Sequence, residues 1–203
     1  MESKLTFVTQ ADVANPEVVK TRYISDPRVA VNERVGSENH HTCVIPRQQN
    51  VARSVLYCKR RYPGIPVLIS KRDVESAFKL APIAVCGLAY MGCRFAHFVG
   101  IYLALFFGWR PPPANWGVIS TLVMQYIAAH RPARCRRDGP DGFIAFHYFD
   151  DGAFVESWVG LRPWLASTQW EGVLGQCLGA KAVNTKKRDV DGCADTRVLL
   201  WGN

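Results

Sequence analysis

The chain has 203 residues, 48% of them hydrophobic and 21% charged, which supplies one substantial core and excludes a disordered chain. Lys and Arg number 25 against 17 Asp and Glu, a formal charge of +8 that favours a polyanionic partner such as nucleic acid, although a merely basic protein has the same balance. The 7 Cys form an odd set with no C-x-x-C pair and no secretory signal, which points to reduced thiols in an intracellular, not secreted, protein.

In chain order, residues Met1 to Asn15 carry little pattern and are assigned no element. From Lys20 to Asn32 basic and apolar residues alternate as on a half-exposed strand, presenting Lys20, Arg22 and Arg28 on one side. Such a row suits phosphates and equally suits a charged edge strand. The segment His40-His41-Thr42-Cys43 lacks a second ligand pair at zinc spacing. Val51, Val55 and Cys58 predict a surface helix from Asn50 to Arg61, with Asn50 as its N-cap and Pro63-Gly64 as its stop. Pro66 to Asp73 reads as a buried strand ending on a carboxylate.

Ala81 to Trp109 is strongly apolar, but Arg94 and His97 interrupt it, and Phe98 to Trp109 offers about a dozen uncharged residues where a membrane span needs about 20. Two buried strands, roughly Gly87 to Phe95 and Phe98 to Leu105, are expected instead, with no membrane partner. Gly108 to Pro113 predicts a rigid loop, and Ala114 to Ala129 a core helix started by Pro113. A basic loop, Arg131 to Asp141, leads into Phe146-His147-Tyr148-Phe149-Asp150-Asp151-Gly152-Ala153-Phe154. Its Asp-Gly pair is a strong hairpin signal, which predicts Asp150 and Asp151 at the hairpin tip. They read either as turn formers or, with Asp73 at the end of a neighbouring strand, as ligands for hard cations.

A helix is expected from Pro163 to Cys177, ending near Gly179, then a short strand and basic turn from Lys181 to Arg188, and a last strand from Arg197 to Trp201. From Pro66 onward the order is strand, helix, strand, strand, helix, strand, with a hairpin inserted before the first helix. This is a split β-α-β-β-α-β arrangement, an α+β fold in which the first strand lies beside the central hairpin and Asp73 meets Asp150 and Asp151. No P-loop, dinucleotide fingerprint, nucleophile elbow or H-E-x-x-H motif is present.

These residues resemble the reverse transcriptases of retroelements, retrotransposons in particular, from about Lys20 to the C-terminus. Tyr148-Phe149-Asp150-Asp151 resembles the family's Y-x-D-D box, and Asp73 followed by Phe78 its first palm motif. Arg22, Asp26 and Arg28 are similar to the fingers motif, Leu105 to Pro113 to the loop and helix start beside the base, Lys186-Lys187 to the basic motif near the leaving pyrophosphate, and Leu200-Trp201-Gly202 to the start of the primer grip. The resemblance implies an RNA-directed DNA polymerase that takes an RNA or DNA template with primer and deoxynucleoside triphosphates.

It implies two Mg2+ ions, or Mn2+, on Asp73, Asp150 and Asp151, with Asp73 and Asp150 bridging both ions and Asp151 contributing charge and local support. Lys187 joins the catalytic set, and Lys20, Arg22, Val74, Phe78, Phe107, Gly108 and Tyr148 hold the nucleotide, with Phe78 gating the sugar. By the same resemblance, residues 1–19 are a poorly defined segment and 20–203 form fingers and palm, with the palm core at about 64–203. The thumb and RNase H are expected in the rest of a polyprotein. Phe107 stands where the family commonly has glutamine, and Pro112 where it has serine. A catalytically inactive nucleic-acid-binding remnant and a metal-dependent nuclease are the alternatives. The nuclease needs a water-activating base, and His147 is the nearby candidate.

Overall fold

The structure, a computed structural model, describes residues 4–11, 17, 19–26, 32, 36, 38, 44–95, 97–129 and 142–187. The chain divides into two units, one of Met1–Thr42 with Phe78–Asn115 and the other of Cys43–Ala77 with Trp116–Asn203.

In the first unit, β1 (Lys4–Ala11) pairs antiparallel with β2 (Val19–Asp26), from Lys4 opposite Asp26 to Ala11 opposite Val19. In the stretch from Met1 to Asn15, to which no element was assigned, residues Lys4–Ala11 thus form a strand. Residues Val85–Tyr90 are a 3-10 helix, which takes up the start of the strand expected from Gly87 to Phe95, and the hairpin that follows is short: β4 (Gly92–Phe95) against β5 (Phe98–Ile101). Nor is β5 buried, since Phe98 is 75% and Val99 74% exposed. An apolar run specifies extended backbone, but a two-stranded ribbon has two open faces. Beyond it, Leu105 donates its N–H to the Ala81 carbonyl at 3.0 Å.

The second unit is built on a three-stranded antiparallel sheet in the order β3 (Val67–Asp73), β7 (Asp151–Ser157), β6 (Ala145–Tyr148). Alternation along β3 and β7 sends residues to two faces. On one, Val67, Ile69 and Val155 pack with Val51, Val55 and Cys58 of α1 (Gln48–Arg61) and with Ile144 and Phe146. On the other, Phe154 meets Trp170 of α3 (Arg162–Leu178) edge to face at 5.8 Å. There too the buried Arg72 donates to Glu171 at 3.0 Å and to Ser167 at 3.3 Å. At the far end of β7 the buried Glu156 accepts from the Ile144 N–H at 2.7 Å and from Arg162, so an otherwise costly buried carboxylate is paired and fixes the start of β6.

Helix α1 is capped from Arg47, not Asn50. Asn50 is the third helical residue, and its side-chain oxygen accepts from the Arg47 N–H at 2.8 Å. Helix α2 (Pro111–Ala129) begins at Pro111, so the three prolines form its first turn, where their missing N–H groups leave no helical bond unmade. Gly179, at φ +93°, closes α3. After it, the short strand expected from Lys181 is reduced to an isolated antiparallel bridge from Val183 to Val74, and Thr185–Lys187 of the expected basic turn form a 3-10 turn. The expected basic loop at 131–141 and the last strand at 197–201 lie outside the described residues. Among the described residues no helix is long and apolar enough to cross a membrane.

Candidate functional site

The antiparallel register sets Asp73 directly opposite Asp151, and Tyr148 opposite Asp151 on the other side. The three side chains therefore leave one face of the sheet, further along from the Val67 and Ile69 cluster. The turn between β6 and β7 is Phe149-Asp150, not the Asp151-Gly152 pair that the sequence favoured. Phe149 takes φ +53°, a left-handed conformation that costs a non-glycine residue about 1–2 kcal/mol. Two hydrogen bonds hold the turn. The buried Trp116 of α2 donates its indole N–H to the Phe149 carbonyl, and the Val74 N–H donates to the Asp150 carbonyl at 2.8 Å.

Gly152 has another task. A Cβ there would stand 3.0 Å from Cζ2 of the fully buried Trp170, so the indole crosses β7 only over a glycine. His147, opposite Gly152, lies on this α3 side with ring centroids 6.2 Å from Trp116 and 5.9 Å from Trp170. Neither imidazole nitrogen has a hydrogen-bond partner within the protein, and burial pushes its pKa down to about 4. By the register His147 lies on the opposite face from Asp73, Tyr148 and Asp151.

Asp73, 4% exposed, is clamped from beyond the sheet edge. Asn184 donates its side-chain amide to Asp73 Oδ2 at 2.7 Å and its backbone N–H to the Asp73 carbonyl at 2.9 Å. The Asn184 Oδ1 in turn accepts the Lys186 N–H at 3.2 Å, which ties the 3-10 turn carrying Lys187 to the same aspartate. Asp151 is held otherwise: Lys71 Nζ lies 2.9 Å from its Oδ2. Trp116, Asn184 and Lys71 were not singled out from sequence. Of the three, only Lys71 carried a usable signal, its position two residues before Asp73 on one strand.

The carboxylate oxygens match the donor chemistry of a hard divalent ion. Among the described residues, however, no group of three His, Cys, Asp or Glu side chains is arranged to hold a metal ion. Mg2+ is commonly bound by one or two carboxylates, with water and a substrate's phosphates completing the shell.

The remaining sequence-predicted residues lie in the first unit. Phe78, 6% exposed, packs edge to face on Phe107 at 4.7 Å, and Phe107 is 72% exposed. Gly108, at φ +92°, gives its carbonyl to the Asn32 amide at 2.7 Å, while Asn32 Oδ1 accepts the Arg110 N–H at 2.9 Å, so a buried asparagine fixes this loop. Lys20 and Arg22 lie on β2.

No protein-family model and no curated protein matches the chain. Solved structures do. The foamy viral protease-reverse transcriptase in complex with an RNA/DNA hybrid superposes with TM-score 0.52 at 18% identity, covering 92% of this chain and 20% of that one. A second structure of the foamy viral protease-reverse transcriptase, in complex with double-stranded DNA, gives TM-score 0.57 at 18% identity over 92% of this chain and 27% of that one. The chain thus spans about a fifth to a quarter of the proteins it matches. At this identity the likeness is one of fold: an α+β chain of reverse-transcriptase-like architecture.

Proposed function

We propose that this chain performs template-directed nucleotidyl transfer as the fingers and palm of a retroelement reverse transcriptase. It extends a primer on an RNA or DNA template with deoxynucleoside triphosphates. The observation that carries the reading is the apposition of Asp73 and Asp151 across β3 and β7, with Asp150 in the adjoining turn, in a chain whose fold resembles reverse transcriptase structures. The order β3, α2, β6, β7, α3, with Val183 bridging the outer edge of β3, supports a palm layout.

Asp73 and Asp150 are the residues that would hold two Mg2+ or Mn2+ ions, which when bound would stabilise the attacking and departing oxygens of phosphodiester formation. Asn184 keeps the Asp73 carboxylate in one orientation, and Trp116 and Val74 do the same for the turn carrying Asp150. Lys20, Arg22 and Lys187 offset triphosphate charge, Phe78 discriminates the sugar, and Val74, Phe107, Gly108 and Tyr148 contact the nucleotide. A second reading, a nucleic-acid-binding remnant without catalysis, draws support from the engagement of Asp151 by Lys71.

Primer extension on a homopolymer template separates the two. The catalytic reading expects magnesium-dependent extension, lowered about a hundredfold or more by Asp73→Asn or Asp150→Asn. Binding of primer-template with no extension in either metal would establish the remnant.

A further inference from the structure

Lys71 leaves the sheet on the same face as Asp73, two residues earlier on β3, and its ammonium reaches diagonally across the ladder to Asp151, the residue facing Asp73. The pair is partly sheltered, with the lysine side chain 28% and the aspartate side chain 16% exposed, so solvent screens it less than a rim pair. Among the described residues no group of three His, Cys, Asp or Glu side chains is arranged to hold a metal ion. Asp151, one of the two acids on this hairpin, is engaged by a cation.

We infer that Lys71 is a resident counter-ion of the carboxylate face: it takes Asp151 out of the ligand set and lowers the face's affinity for divalent cations in the absence of nucleotide. The inference rests on the proposed metal site at Asp73 and Asp150. It assigns Asp151 a different part, that of anchoring the lysine. Two contributions follow from the charges. The ammonium repels an incoming cation held by Asp73, and it occupies the carboxylate that would otherwise join the shell. Metal then binds well only when triphosphate oxygens contribute the ligands that the protein withholds, so the ion enters with its substrate.

The test is a Mn2+ titration of the 203-residue chain without nucleotide or nucleic acid, read by the electron paramagnetic resonance of free Mn2+. Lys71→Met and Lys71→Gln, which keep the aliphatic stem and lose the charge, should each bind Mn2+ about tenfold more tightly than the parent chain, since one unit charge at close range in a partly sheltered site is worth at least that much. In an Asp151→Asn background the same substitutions should gain less than about threefold, because part of the effect passes through the freed carboxylate. Unchanged affinity in both lysine variants, with unchanged melting temperatures, would overturn the inference. So would an equal gain with and without Asp151, which would leave only unspecific charge removal. The polymerase reading is decided separately: absence of primer extension alongside the expected Mn2+ shifts would remove that reading and leave the role of Lys71 standing.

Discussion

Replacing Gly152 by alanine tests how the carboxylate hairpin is held. In a strand interior this change ordinarily gains about 0.5–1 kcal/mol, because glycine loses more backbone entropy on folding. Here the added Cβ would lie 3.0, 3.1 and 3.3 Å from Cζ2, Cε2 and Nε1 of Trp170. The indole is fully buried, edge to face with Phe154 and tilted against His147. Overpacking of this kind costs about 1–3 kcal/mol, so the net expectation is a loss of about 1 kcal/mol, or a melting temperature lower by about 2–4 °C. Gly172, on the exposed side of α3 with nothing within 4 Å of its Cβ position, is the matched control. Its alanine variant should gain about 0.5–1 kcal/mol from helix propensity. Thermal melts and urea midpoints at constant m-value measure both. A Gly152→Ala chain as stable as the parent would refute the crossing of Trp170 over β7 as the reason for this glycine.

Stability should fall in mild acid through His147. Its folded pKa, about 4, lies below the ordinary 6.5, so this contribution is fully present above pH 6.5 and is lost as pH falls toward 4, by about 3 kcal/mol in all. Urea titrations at pH 7, 5.5 and 4.5 should show the loss, and His147→Leu should flatten that part of the slope; an unchanged slope would show the imidazole to be solvated. Phe78→Val should raise ribonucleotide incorporation relative to deoxyribonucleotide, and unchanged discrimination would remove the gate assignment. Nucleic-acid binding should be sequence-independent, its log affinity falling by about 0.7–0.9 per phosphate contact with log salt, and a flat salt profile would dissociate the +8 charge from nucleic acid.

What was legible in the chain was what local pattern specifies. The apolar spacing of Val51, Val55 and Cys58 gave α1, the run from Val67 to Asp73 gave β3, and Gly179 marked the end of α3. The order of elements placed β3 beside the hairpin. The turn was misplaced because Asp-Gly is a strong local signal, whereas Gly152 answers to an indole arriving from α3 and Phe149 accepts a left-handed backbone because Trp116 and Val74 hold the turn from outside it. β1 was missed because a ribbon strand is defined by its partner as much as by its own residues. Asn184 was invisible for the same reason, standing 111 residues from the aspartate it orients. Lys71 looked like one more basic residue until the register put Asp151 within its reach.

The proposal that Asp73 and Asp150 support nucleotide addition is tested most directly by single-nucleotide incorporation. A labelled primer paired with an RNA template is offered the one complementary deoxynucleotide with Mg2+, and the parent chain is compared with Asp73→Asn at matched primer-template occupancy. The parent should yield primer lengthened by one nucleotide, and the variant should bind equally and yield almost none. A folded parent chain that binds primer-template and adds nothing, or an Asp73→Asn chain that adds as readily as the parent, would contradict the account.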